Sequence, residues 1–210
     1  MKIIRSGLFA AVFGLCLFFG TLTPEARADG FSDGAQKFIA SLADKAEGSL
    51  LSKNITLDER TERFRNLMLE SFDLKGVGKW VLGRYWRRAS SAERANYLKL
   101  FEEFIIATYT KRFKAYTDAK LQINGTTSRK NSAFVNSQIN RDSAKPIRIV
   151  WRVNFSDGRY QIIDIVVEGV SWIQTQRSEF VSVIRNSSGK VSGLIDALDK
   201  KITNLKASTS

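Results

Sequence analysis

Histidine is absent from all 210 residues. That excludes Ser-His-Asp triads, Cys-His pairs and the commonest metal ligand together. The single cysteine, Cys16, falls in an N-terminal stretch that reads as a leader, so the rest of the chain has no disulfide and no thiol chemistry. Only two prolines occur. One of them, Pro146, stands just before a strand-like run, where its missing N–H does no harm. There is no internal repeat and no linker that would split domains. One apolar run is long, Leu8 to Leu22, and at about 15 residues it is short for a bilayer span. Acidic residues are few: 21 against 33 Lys and Arg, a formal charge of +12.

What is present begins with that leader. Lys2 and Arg5 precede the apolar run, and Ala26-Arg27-Ala28 has the small-x-small form of a cleavage site, which predicts a mature start at Asp29. The domain reading is residues 1–28 as signal peptide, 29–206 as a single domain and 207–210 as a loose tail. Removing the leader takes away three basic residues and one acidic residue and leaves +10. Export argues against nucleic acid as a partner. The basic balance points instead to an anionic membrane face or acidic head groups, with solubility as the plain alternative.

Phe31 to Leu51 carries apolar residues at helical spacing, and so does Thr56 to Ser71, which Thr56 and Glu59 can cap. The stretch Phe72 to Tyr116 is unusually aromatic. Gly76, Gly78 and Gly83 break its first part into short helices. Gly76-Val77-Gly78 lacks a dinucleotide fingerprint, and close helix packing explains it better. Ser91 to Tyr116 reads as one long helix with an aromatic face. After Thr117 the period changes to two. Leu121–Ile123, Phe134–Ile139, Ile147–Phe155 and Tyr160–Glu168 read as consecutive antiparallel strands, with turn signals at Asn124-Gly125 and Ser156-Asp157-Gly158. Helices over Gln174–Arg185 and Val191–Leu205 follow. The order gives an α+β fold, with helices packed over a curved, mostly antiparallel sheet.

Too many large side chains compete for one interior. Trp80, Leu82, Tyr85 and Trp86 come from the glycine-broken segment. Phe101, Phe104, Ile105, Tyr109 and Phe113 come from the long helix. Trp151, Val153, Ile163, Ile165 and Val167 line one strand face, followed by Val170 and Trp172. Tyr and Trp carry polar handles that need partners when buried. These residues are the candidate walls of an apolar cavity, against the alternative of a solid core. Arg84, Arg87 and Arg88 are candidate contacts for a phosphate head group at its mouth, or else a surface cluster.

An enzyme reading needs a base. Asp164, with Glu168 on the same strand face, could abstract a proton beside a carbonyl, as a ketosteroid-isomerase-like site does. The other reading is that Asp164 faces solvent or pairs with Arg148 or Arg152 across the sheet.

Two blocks carry a resemblance. Leu82-Gly83-Arg84-Tyr85-Trp86, Ser90-Ser91-Ala92-Glu93-Arg94 and then Phe101, Phe104 and Tyr109 form the first. Val167-Glu168-Gly169-Val170-Ser171, Arg177-Ser178-Glu179-Phe180, Gly189 and Leu194-Ile195-Leu198 form the second. Together they resemble the MlaC or toluene-tolerance family of periplasmic phospholipid-binding proteins. The resemblance implies an NTF2-like cone enclosing an apolar cavity, a bound phospholipid as cargo with no cofactor and no metal, and no catalysis. It also implies a soluble periplasmic carrier shuttling lipid between an outer-membrane lipoprotein complex and an inner-membrane ABC transporter with an MCE-domain subunit. A hopanoid-associated carrier of the same family is the alternative. The family often has an aliphatic residue where Trp172 stands, so the pocket here is expected to differ.

Overall fold

The computed structural model describes residues 24–52, 54–110, 120–141 and 144–207. The chain enters on α1 (Pro24–Leu50), which runs across the expected processing point. Then come α2 (Leu57–Ser71), α3 (Leu74–Leu82), the single turn α4 (Arg84–Arg88) and α5 (Ser91–Tyr109). Strands β1 (Lys120–Arg129), β2 (Ser132–Arg141), β3 (Ala144–Ser156), β4 (Arg159–Val167) and β5 (Val170–Ser171) follow, and α6 (Trp172–Asn186) and α7 (Val191–Ala207) close the described chain.

Helix starts obey local chemistry. Thr56 accepts the Glu59 N–H at 3.2 Å and caps α2. Asp73 accepts the Gly76 N–H at 2.8 Å and caps α3. Ser90 and Glu93 form a complete capping box for α5, with bonds of 3.2 and 2.8 Å. Glycine decides the break between α3 and α4. Gly83 has φ 56° and ψ −125°, a backbone that side chains with a Cβ avoid. At Gly78, a Cβ would come within 2.9 Å of Leu98 and 3.1 Å of Phe101, so its absence lets α3 lie close on α5, where the Tyr97 hydroxyl donates to the Gly78 carbonyl at 3.0 Å.

The sheet is open and antiparallel, in the order β1-β2-β3-β4-β5. Paired residues share a face. One face therefore carries Leu121, Ile123, Ala133, Val135, Ile139, Ile147, Ile149, Trp151, Val153, Ile162, Ile165 and Val167. The other carries Gln122, Gln138 and Asn140, which hydrogen-bond to one another, with Arg148 and Arg152.

Two apolar cores result. In the first, Ala35, Ile39 and Leu42 of α1 cover Ala133, Val135, Val153 and Ile162 of the sheet. The second joins α2 to α7, with Tyr97, Phe101, Ile105, Phe180, Ile184 and Leu194 at its centre. Leu67 and Phe72 touch both cores. The chain at Phe72 also runs along β4, where the Asp73 N–H donates to the Ile162 carbonyl at 3.1 Å.

The alternation expected along β4 does not hold throughout. Val153 pairs with Ile162, whereas Arg152 pairs with Asp164, which leaves Ile163 as an extra residue in a bulge. Ile163 packs with the helical core, while Ile162 and Ile165 pack with the sheet core.

Candidate functional site

α1 covers only part of the apolar sheet face. At the margin of the sheet core Leu121, Ile123, Trp151 and Ile165 pack against it half-buried, and Ile139 and Ile147 of the same face are half-buried too. The face ends on Val167 and Val170, a cross-strand pair exposed by 40 % and 61 %. Trp151 keeps its polar atom satisfied within this face. Its Nε1–H donates to Ser137 Oγ at 2.9 Å, and Ser137 donates onward to the Ile149 carbonyl at 3.2 Å. The indole is thus held by a short polar relay and presents carbon elsewhere.

The helical layer contributes its own half-buried aromatics. Trp172 opens α6 and donates from Nε1 to the Tyr109 hydroxyl at 2.6 Å, with the two rings edge to face at 6.3 Å. Trp172 also leans on Phe101 at 6.3 Å. Phe104 and Trp86 lie half-buried against the same helical core.

Asp164 fixes the start of α6. It is only 6 % exposed, and both of its oxygens are occupied. Oδ1 accepts the Ile173 N–H at 3.1 Å, and Oδ2 accepts the Ser171 hydroxyl at 2.7 Å. Ser171 Oγ in turn caps α6 by accepting the Gln174 N–H at 3.3 Å. Asp164 thus does not face solvent, and although Arg152 is its cross-strand neighbour its oxygens go to Ser171 and Ile173 rather than to Arg148 or Arg152; it ties α6, and with it Trp172, to β4. Arg148 goes to Glu168 instead. Its backbone N–H and then its guanidinium hold the Glu168 carboxyl below the usual range.

Several residues read from the sequence as cavity wall are placed otherwise. Leu82, Tyr85, Phe101, Ile105 and Val153 have almost no accessible surface and are packed on all sides. Ile163 leaves the sheet face through the bulge. Trp80 lies on the outside of the molecule, 44 % exposed, with the Arg177 guanidinium 4.8 Å from its ring centre. The reason is local: Lys75 and Lys79 mark the exposed side of α3, and Trp80, next to Lys79, turns outward with them while Val77, Gly78, Val81 and Leu82 face the core. Phe113 lies outside the described residues. Trp151, Ile165, Val167, Val170, Tyr109 and Trp172 are partly accessible. Ile147, Ile149, Ile139, Leu121 and Ile123 belong to the same apolar face and were not among the candidates. Their period-two alternation was the available signal.

The candidate head-group arginines lie together on the single turn α4. Arg84, Arg87 and Arg88 are exposed on α4. Arg84 donates to the Tyr85 hydroxyl at 3.1 Å, and Arg185 from the last turn of α6 reaches the same phenol; the two hold its pKa below the usual range, Arg84 foremost. Trp172 and Arg185 are the two ends of α6, about 20 Å apart at 1.5 Å per residue. Arg84 thus meets the C-terminal end of α6 at the Tyr85 hydroxyl.

Among the described residues, no group of His, Cys, Asp and Glu is arranged to hold a metal, and no helix is long and apolar enough to cross a membrane.

Comparison with known proteins places this geometry. A family model described as MlaC protein matches residues 36–200. The intermembrane phospholipid transport system binding protein MlaC of Haemophilus influenzae is 27% identical over 151 residues, covering 70% of this chain. The match spans 66% of that relative's own length, just under two thirds. Among solved structures, the phospholipid-binding protein of Ralstonia solanacearum, determined in complex with a phospholipid, superposes with a TM-score of 0.74 at 20% identity. That likeness covers 82% of this chain and 98% of the other, and it establishes the fold.

Proposed function

The chain belongs to the MlaC family, and from that premise we propose that it binds a phospholipid and carries it between membranes without covalent chemistry. The observation that carries this reading is the apolar sheet face that α1 leaves half-covered, from Ile147 and Trp151 to the exposed pair Val167 and Val170. Acyl chains laid there remove water from both surfaces. At about 0.8 kcal/mol per buried CH2, roughly a dozen carbons supply about 10 kcal/mol. Binding that strong and that undirected makes release depend on an equally apolar destination or on a partner that opens the site.

In this reading the leader over residues 1–28 is removed and the domain works in the periplasm. It exchanges lipid with an outer-membrane lipoprotein complex and with an inner-membrane ABC transporter bearing an MCE-domain subunit. The isomerase alternative is disfavoured because both oxygens of Asp164 are already bonded to Ser171 and Ile173.

Native mass spectrometry of the exported chain tests the proposal. The expected result is a co-purifying phospholipid of about one per chain, whose extraction and identification also separates phospholipid from hopanoid cargo. Val167→Glu places a charge on the exposed end of the face, where folding tolerates it, and is expected to abolish retention with an unchanged circular dichroism spectrum. A chain that never acquires lipid from vesicles, or a Val167→Glu variant that holds lipid normally, overturns the proposal.

A further inference from the structure

The outer surface where α3, α4 and α6 meet is built differently from the rest of the molecule. Arg177 of α6 stacks on the outward-facing Trp80 and donates from Nη1 to the Trp80 carbonyl at 2.6 Å. The same guanidinium lies over Gly83, where a Cβ would stand 2.6 Å from it. A shallow open groove of about 570 Å³ runs here, lined by Trp80, Gln174, Arg177, Ser178 and Val181. Next along the surface, Arg84 and Arg88 stand 5.0 and 5.8 Å from the Tyr85 ring centre, and Arg185 joins them at its hydroxyl.

Charge separates this face from the others. The ion pairs found among the described residues join Lys45, Arg63, Arg65, Arg148 and Lys206 to carboxylates. None of them involves Arg84, Arg87, Arg88, Arg177 or Arg185. Glu179, the one acidic residue of α6, is two positions from Arg177 and so projects from another side of the helix. An exposed tryptophan beside unneutralised guanidinium groups suits the head-group layer of a bilayer, which is apolar beneath and phosphate-rich above.

We propose that the α3–α4–α6 face docks this chain on the surface of an anionic phospholipid bilayer, with Arg84, Arg87, Arg88 and Arg185 on lipid phosphates and Trp80 at head-group depth. The proposal goes beyond cargo binding, because the surface lies apart from the half-covered sheet face. It gives the arginines a phosphate to meet that is not the cargo's own head group.

Co-sedimentation of the exported chain with phosphatidylglycerol-containing vesicles, against pure phosphatidylcholine vesicles, tests it. Binding is expected only to the anionic vesicles and is expected to weaken as salt rises. The triple variant Arg84→Gln, Arg88→Gln, Arg185→Gln is expected to bind on the order of 100-fold more weakly, at about fivefold per arginine. A control triple, Arg129→Gln, Lys130→Gln, Arg159→Gln, removes the same charge from exposed positions at the two hairpin ends and is expected to lose less than about threefold. Tryptophan emission should shift to the blue on adding anionic vesicles, and that shift should vanish in Trp80→Phe. Equal loss in the two triples, equal binding to neutral vesicles, no binding to either, or a shift that persists in Trp80→Phe each overturns the proposal. Circular dichroism confirms that each variant is folded, and the Trp80→Phe result stands independently of the arginine variants.

Discussion

Truncating Asp164 tests how the helical layer is fastened to the sheet. In Asp164→Ala both acceptor oxygens vanish. The Ile173 N–H, on a residue that is itself buried, loses its 3.1 Å bond, and the Ser171 hydroxyl loses its 2.7 Å bond. Hydrogen bonds to a charged group contribute about 1.5–3 kcal/mol each. Ser171 is only partly buried and regains water, so the net loss is expected near the lower part of the combined range, about 3–4 kcal/mol. Asp164→Asn keeps one carbonyl oxygen for Ile173 and is expected to lose only about 1–2 kcal/mol. Urea unfolding of the exported chain reads this as a lower midpoint at constant slope. By heat, the alanine variant is expected to melt roughly 6–16 °C lower, at about 2–4 °C per kcal/mol for a domain of this size. An alanine variant within about 0.5 kcal/mol of the parent, the range of an ordinary surface change, refutes the assignment of Asp164 as the anchor. A variant that is stable yet inactive in a proton-transfer assay would return Asp164 to the catalytic reading.

Three further outcomes are expected. Gly83→Ala forces a Cβ into a backbone region that costs about 1–3 kcal/mol and pushes Arg177 off Trp80, which a lowered melting temperature and altered tryptophan emission check together. Trp172→Phe removes the 2.6 Å bond to Tyr109 and is expected to cost about 1 kcal/mol in urea unfolding while keeping a ring against Phe101. Glu103 sets an acid-side pH dependence. Burial would raise its carboxyl, but hydrogen bonds from Lys206 and Arg65 outweigh that and hold it below its ordinary value. Its stabilising contribution is therefore present above the unfolded-state pKa and is lost as pH falls through the lower folded one. Stability measured from neutral to acid pH should fall less steeply in Glu103→Gln than in the parent, and parallel curves would contradict the pairing.

Element identity was legible wherever the signal was local. The Thr56 cap, the Ser90–Glu93 capping box and the glycine break at Gly83 marked helix ends through side chain and backbone chemistry within four residues. The alternation in Ile147-Ile149-Trp151-Val153-Phe155 named a strand and its buried face, because the pleat imposes a period of two whatever lies above it. The two blocks that resembled the MlaC family lie inside the stretch that the family model matches. Which apolar residues stay partly accessible was legible only in part. On the sheet, one side is apolar and the other carries most of the polar residues, among them Gln122, Gln138, Asn140, Arg148 and Arg152, so the side of Trp151 and Ile165 followed from the pattern. In α5 aromatics occupy several sides, so spacing could not tell the inward Tyr97 and Phe101 from the half-buried Phe104 and Tyr109, whereas in α3 Lys75 and Lys79 were the available signal that Trp80 faces outward.

The sequence by itself determined the α+β order, the absence of histidine chemistry, the strand faces and the family, because composition and short-range periodicity are properties of the chain before it folds. Tertiary structure alone decided three things. It sent Ile163 rather than Ile162 to the helical core, since two successive isoleucines allow either register and only pairing with β3 selects one. It turned Asp164 from a candidate base into the anchor of α6, since its partners Ser171 and Ile173 meet it only after the chain turns at Gly169. It set Arg177 on the outward Trp80, since two residues 97 positions apart meet only once α3 and α6 pack together.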